Sequence, residues 1–247
     1  MKIEVLFPEI CNLYGDLFNI KYLKDCLPEA EIVNTGLKEQ PLFLTEKPDL
    51  IYMGTTTEQG QIMAIEALSK YKERIHRCIE DGVSFLITGN ALEVFCKDIY
   101  EEDEKVADGL GILDLTARRK ARKRFNSLYL GEFKAGEKES PIKIVGFKSV
   151  FGYAYGENYN NELFETERGD GLNPGVKGEG IRINNFFATY IIGPLLVLNP
   201  PFTRWFIKEA LMCNSAEIAF SEAAENAYED RVKEYSDPNT GFYYYHK

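Results

Sequence analysis

The chain has 247 residues, 45% hydrophobic and 28% charged, a globular balance that excludes disorder as the main state and a small disulfide scaffold. Acids outnumber bases 39 to 29 and the formal charge is −10, which argues against a duplex-coating nucleic-acid binder, since that class needs a positive field. No segment approaches the ~18 apolar residues of a membrane span, and Glu4 and Glu9 in the first ten positions do not suit a secretory signal. The five cysteines (Cys11, Cys26, Cys78, Cys96, Cys213) are scattered without a CxxC pair, so neither a zinc site nor a disulfide framework is expected. The cytoplasm is the expected compartment, and no metal or cofactor is indicated.

In chain order, Lys2 to Phe7 reads as a strand ended by Pro8, and Gly15-Asp16 as a turn and helix cap. A helix is expected over Asn19–Cys26, a short strand over Glu31–Val33, and a second apolar strand over Leu50–Met53, followed by a Gly-Thr-Thr-Thr loop. Apolar spacing predicts one amphipathic helix over Gln61–Glu80, stopped by Gly82. Val83–Ile87 is a third apolar strand, and Thr88-Gly89-Asn90 turns into a helix over Ala91–Cys96. Alternating helices and continuous apolar strands predict an α/β fold, a three-layer flavodoxin-like arrangement with a mostly parallel sheet covered on both faces.

The second half reads as strands at Phe125–Phe133, Ile142–Phe147 and Ile181–Thr189, with Gly152–Gly180 as long loops. Pro200-Pro201 opens a helix to about Met212, Ser215 caps a last helix to about Tyr235, and the tail Phe242–Lys247 is aromatic. With no repeat and no linker, residues 1–247 read as one domain.

Ligands in such folds bind beyond the carboxyl ends of strands, which singles out Gly54–Glu58 and Thr88–Ala91. The strand-turn-helix Ser84–Val94 has the outline of a nucleophile elbow, but its central residue is Gly89, which has no side chain; it also reads as an ordinary β-to-α loop. The basic run Arg118–Arg124 suits a phosphate, a carboxylate or an acidic partner face, and equally a solvated helix or loop. The acid run Glu101–Glu104 reads as a solvated face. His76 and Cys78 stand on different faces of a helix, His246 is in the tail, and Cys96 lies inside the helix after the elbow, so no nucleophile–base pair is visible.

The motifs, taken together, resemble the cobyric-acid-synthase-like class I glutamine amidotransferases, and in particular their branch of lipid II isoglutaminyl synthase glutaminase subunits. Leu6–Asp16 with Asn19 is similar to that branch's N-terminal signature, and Asp49–Gln61 to its strand ending in a Gly-rich oxyanion loop. Gly109–Asp114 resembles its "GLGLLD" stretch, Gly146-Phe147 the lead into "GFENH", and Thr189–Leu196 with Asn199-Pro200 its "TYLHGPLL..NP". The match is collinear over about residues 4–205, leaving the last helix and tail, 206–247, outside it.

The resemblance implies a cysteine nucleophile at the elbow and a histidine base in the TYLHGP motif. This chain has Gly89 at the first position and Ile192 at the second. Glycine cannot attack an amide and isoleucine cannot carry a proton, so no catalytic residue is expected for that chemistry. The Gly-rich loop reads Gly54-Thr55-Thr56-Thr57, the glutamine after the elbow is Glu93, and Arg124 loosely matches an arginine that holds glutamine's carboxylate in the family. Three readings follow. One is a non-catalytic binding or regulatory subunit with a Mur-ligase-like partner. A second is altered chemistry, or a small polar ligand such as an amino acid, held by Gly54, Thr55, Thr56, Asn90, Glu93 and Arg124. The third is an active glutaminase that borrows Cys96 or a partner's residue.

Overall fold

The continuous apolar runs become strands with no solvated face: every residue of Leu50–Met53 and Ser84–Thr88 is buried. A computed structural model describes residues 1–120, 122–136, 139–156 and 161–243. Ala121 of the basic run and residues 244–247 of the aromatic tail, His246 among them, lie outside the described residues.

The strands are β1 (Lys2–Leu6), β2 (Glu31–Thr35), β3 (Leu50–Met53), β4 (Ser84–Thr88), β5 (Cys96–Glu101), β6 (Glu104–Asp108) and β7 (Leu113–Arg119). They continue with β8 (Phe125–Phe133), β9 (Ile142–Val150), β10 (Gly152–Gly156), β11 (Glu162–Arg168), β12 (Gly178–Ile183) and β13 (Phe186–Thr189). Nine of them form one sheet in the order β2-β1-β3-β4-β13-β12-β11-β8-β9. From β2 to β13 every pairing is parallel; from β13 to β9 every pairing is antiparallel. A four-stranded sheet, β10-β7-β5-β6, packs beside it.

Strand alternation separates two cores. Ile51, Met53, Phe85 and Ile87 face α2 (Glu58–Leu68), α3 (Lys72–Glu80) and the smaller sheet. Leu50, Tyr52 and Leu86 face α1 (Phe18–Cys26) and α5 (Pro200–Trp205). The expected α/β architecture, covered on both faces, is the one found. Thr57 caps α2 by accepting a hydrogen bond from Gly60 N at 3.0 Å. Residues Leu195–Leu198 form α4, and Ser221–Ser236 form α6, which packs on β8 and β9 through Tyr235.

Several elements differ from the sequence expectation. The single helix over 61–80 is broken at Ser69–Tyr71, where Tyr71 turns edge-on to Phe43 and Arg74 Nε donates to Phe43 O. Instead of a helix over 91–96, Gly89–Phe95 forms a 3-10 segment that feeds straight into β5; residues 91–95 are all buried, so no face of it is solvated. The strand over 181–189 is two strands joined by Asn184-Asn185, with Asn184 at φ 51°, the left-handed conformation that asparagine tolerates in tight hairpins. The expected loop region 152–180 contains β10, β11 and the start of β12, with residues 157–160 outside the described set. Gly152 sits in a strand because β7 passes so close that a Cβ there would stand 2.8 Å from Arg119 Cα. The helix opened by Pro200 is α-helical only to Trp205 and continues as a π turn over Phe206–Ala210. Ser215 caps nothing: α6 begins at Ser221, because Ala219 is held out by Cys26 Sγ and the Tyr22 hydroxyl.

Candidate functional site

β3 and β4 are parallel neighbours with Met53 opposite Ile87, so the loops leaving their carboxyl ends, 54–57 and 89–90, lie side by side. Asp16 enters between them from the N-terminal turn, buried at 1% exposure. Its Oδ2 accepts from Thr55 N and Thr55 Oγ1, both at 2.8 Å, and from Thr88 Oγ1 at 2.6 Å. Its Oδ1 accepts from Asn19 Nδ2 at 3.0 Å. Burial pushes the Asp16 carboxyl above the usual carboxylate range, and these donors pull it partly back. Gly54 makes the approach possible, since a Cβ there would stand 2.8 Å from Cys11 O and 3.1 Å from Asp16 Oδ2.

Asn90 fastens the two loops together. Its Oδ1 accepts from Thr56 N at 3.0 Å and its Nδ2 donates to Thr56 O at 2.8 Å. The N–H groups of Thr55 and Thr56, in the loop that resembles the family's oxyanion loop, are therefore both taken by side-chain oxygens of the protein itself.

Gly89 has φ +62°, the left-handed conformation of a tight strand exit. Thr55 fills the space a side chain would need: a Cβ built on Gly89 overlaps Thr55 Oγ1 and stands 2.9 Å from Thr55 Cβ and Cγ2. The seven residues after the turn are 3-10, so the elbow lacks the long α-helix whose aligned peptides favour negative charge. Ile192 follows β13, whose Thr189 lies opposite Thr88, and is 2% exposed. Its backbone pairs with Phe147, N to O at 2.9 Å and O from N at 3.2 Å.

Glu93 lies deeper, in a second closed network. Arg119 Nε donates to Glu93 Oε2 at 2.9 Å, with both side chains under 5% exposed. Gln61 Nε2 donates to Glu93 Oε2 at 3.0 Å and also to Asn90 O, while Gln61 Oε1 accepts from Arg119 Nη2. The Tyr190 hydroxyl donates to Glu93 Oε1 at 3.2 Å. This network ties the smaller sheet to the elbow. Arg124 is elsewhere: exposed, on the connection from β7 to β8, its guanidinium 4.6 Å from the Phe151 ring centroid.

Of the six pocket candidates, Gly54, Thr55, Thr56 and Asn90 come together, Glu93 reaches them through Gln61, and Arg124 has no bond to the cluster among the described residues. Asp16, Gln61, Arg119 and Tyr190 were not singled out by sequence. Asp16 reads as a helix cap, yet α1 starts without a side-chain cap, and Asn12 Oδ1 accepts from Leu17 N instead. Cys96 is fully buried among apolar side chains, its Sγ donating to Leu92 O at 3.7 Å, and burial pushes its thiol well above the usual range. Among the described residues, no group of three or more His, Cys, Asp or Glu could hold a metal ion. No helix among them is long and apolar enough to cross a membrane.

A family model described as a CobB/CobQ-like glutamine amidotransferase domain matches residues 2–199. The chain is 28% identical over 226 residues to the Staphylococcus aureus GatD subunit of lipid II isoglutaminyl synthase (glutamine-hydrolyzing), covering 90% of this chain and 89% of the relative. It is 24% identical over 241 residues to the Streptococcus pneumoniae GatD subunit, covering 96% and 91%. Among solved structures, a PurLQS chain of Thermotoga maritima superposes with a TM-score of 0.55 at 11% identity, covering 93% of this chain and 97% of that one. A glutamine amidotransferase of the same organism gives 0.53 at 12% identity, covering 94% of each chain. At such identities these two likenesses speak to fold alone.

Proposed function

Because the chain belongs to the CobB/CobQ-like glutamine amidotransferase family, matched over residues 2–199, we propose that it is a member without glutaminase chemistry, acting as a binding or regulatory subunit. The relatives named above are subunits of an enzyme that amidates lipid II. By that kinship the partner is a Mur-ligase-like enzyme and the process is amidation of a cell-wall precursor.

The observation that carries this reading is Thr55 standing where a side chain on Gly89 would go. Amide hydrolysis through a covalent intermediate needs a nucleophile, a base and free donors for the oxyanion. The elbow offers a glycine, Ile192 offers no titratable group, and the loop N–H groups of Thr55 and Thr56 are occupied. The polar atoms of Asp16, Thr55, Thr56, Thr88 and Asn90 are bonded to one another, which favours a binding subunit over small-ligand chemistry at this point.

The test is native co-purification combined with a glutamate-release assay. The reading expects a stable complex with a Mur-ligase-like protein and no glutamate released from glutamine, by the chain alone or in the complex. Glutamate release dependent on this chain, or recovery only as a free monomer, contradicts it.

A further inference from the structure

The basic run leaves more positive charge than the elbow network consumes. Arg119 is buried and its charge is spent on Glu93. Arg118, Lys120 and Lys123 are exposed, and none of them makes an ion pair among the described residues. Their side chains converge because β7 ends at Arg119 and the connection to β8 folds back at once: Lys120 N donates to Phe151 O at 2.8 Å and Lys123 N to Lys120 O at 3.0 Å.

The three cations line one side of a cavity of about 520 Å³. That volume falls within the range of about 300–1,000 Å³ typical of small-molecule sites. Its second side is aromatic, formed by Phe125, Tyr153 and Tyr155. Phe125 and Tyr153 pack with ring centroids 4.8 Å apart, and the Tyr153 hydroxyl is fixed by Asp170 Oδ2 at 2.7 Å, so this wall is held in place. Tyr155 is 38% exposed and presents ring surface at the mouth. Across the opening stand Glu102 and Asp103, from the tight turn between β5 and β6.

In a chain of net charge −10, three unpaired cations beside an aromatic wall select for an anion that also carries a ring. The two carboxylates opposite set a limit: they repel long polyanions and accept hydrogen bonds from hydroxyl or amino groups. We propose that this cavity is a binding site for a nucleoside mono- or diphosphate, with the phosphate on Arg118, Lys120 and Lys123. The base lies against the Phe125–Tyr155 wall, and Glu102 and Asp103 receive the sugar hydroxyls. The site is separate from the Gly89 turn and shares with its network only Arg119, so it does not depend on whether the elbow is catalytically silent.

Calorimetric titration of the full chain with ADP, UDP, adenosine and inorganic phosphate at low salt tests this. The expected result is that a nucleoside diphosphate binds about tenfold or more tighter than either adenosine or phosphate, about 1.4 kcal/mol. Binding weakens with added salt, as screening shortens the reach of exposed charge. The double variant Lys120→Glu/Lys123→Glu weakens it at least about tenfold. Both lysines are exposed, so the fold is expected to persist, with circular dichroism as the control; Arg118→Gln serves as an independent variant. Tyr155→Ala lowers the affinity for the diphosphates and leaves that for phosphate unchanged. Equal affinity for phosphate and ADP, indifference to the lysine reversals, or no binding tighter than millimolar by any probe overturns the assignment.

Discussion

Thr55 and Gly89 are mutually dependent: the threonine side chain occupies the volume that any residue other than glycine at 89 would claim, and Asp16 holds it there with a 2.8 Å hydrogen bond from Thr55 Oγ1. Gly89→Ala is therefore expected to destabilise the protein by about 2–4 kcal/mol, combining the left-handed backbone penalty with overpacking. Adding Thr55→Gly relieves the overlap but not the backbone strain. Urea denaturation of the two single variants and the double variant measures a favourable coupling between the sites; strict additivity would show that Thr55 does not occupy that space.

Asp16 is the hub of the loop cluster. Asp16→Asn keeps the shape but replaces one oxygen by a donor. Oδ2 accepts three donors and Oδ1 accepts from Asn19, so either amide orientation sets an N–H against a donor. A loss of about 1–3 kcal/mol is expected, again by urea denaturation. A neutral effect would mean the carboxylate is already protonated and donating.

The Glu93–Arg119 pair is buried on both sides. Arg119→Met leaves the Glu93 charge without its cation and is expected to cost about 3–5 kcal/mol. Arg119→Met combined with Glu93→Gln recovers part of that loss, because the chain then carries no uncompensated buried charge. Equal losses in the single and double variants would contradict the pairing.

The cysteines give a reactivity and a pH prediction. Cys11, Cys26, Cys78 and Cys96 are buried and Cys213 is half-buried. In the native protein a thiol reagent is expected to modify Cys213 first, with the other four reacting only on unfolding. Burial pushes the Cys11 thiol from 9.0 up to about 12. A raised folded value means its contribution to stability is fully present below the unfolded value and is lost as pH rises towards the folded one. Stability is thus expected to fall between about pH 9 and 12 through this residue, and Cys11→Ser flattens that part of the profile. Rapid native labelling of Cys96 would contradict its burial and revive it as a nucleophile.

The parallel half of the fold was legible because β3 and β4 are buried on both faces and read as unbroken apolar runs. The smaller sheet was not. β7 alternates inward and outward as Leu113, Leu115, Ala117 and Arg119 against Asp114, Thr116 and Arg118, and an arginine in the last inward place disguised a strand as the start of a charge run. Gly152 read as a turn residue, whereas it marks close strand packing. At the site, loop positions 54–56 and 90 followed from the rule that ligands gather at strand ends. Asp16 did not, because its partners Thr55 and Thr88 stand 39 and 72 positions away, and only the folded sheet brings them together.

The most direct test of the account is intact-mass labelling with 6-diazo-5-oxonorleucine, a glutamine-like electrophile that traps a working nucleophile, on the chain alone and in complex with its Mur-ligase-like partner. The account predicts no adduct in either state. A single stoichiometric adduct, mapped to Cys96 or any other side chain, would contradict it.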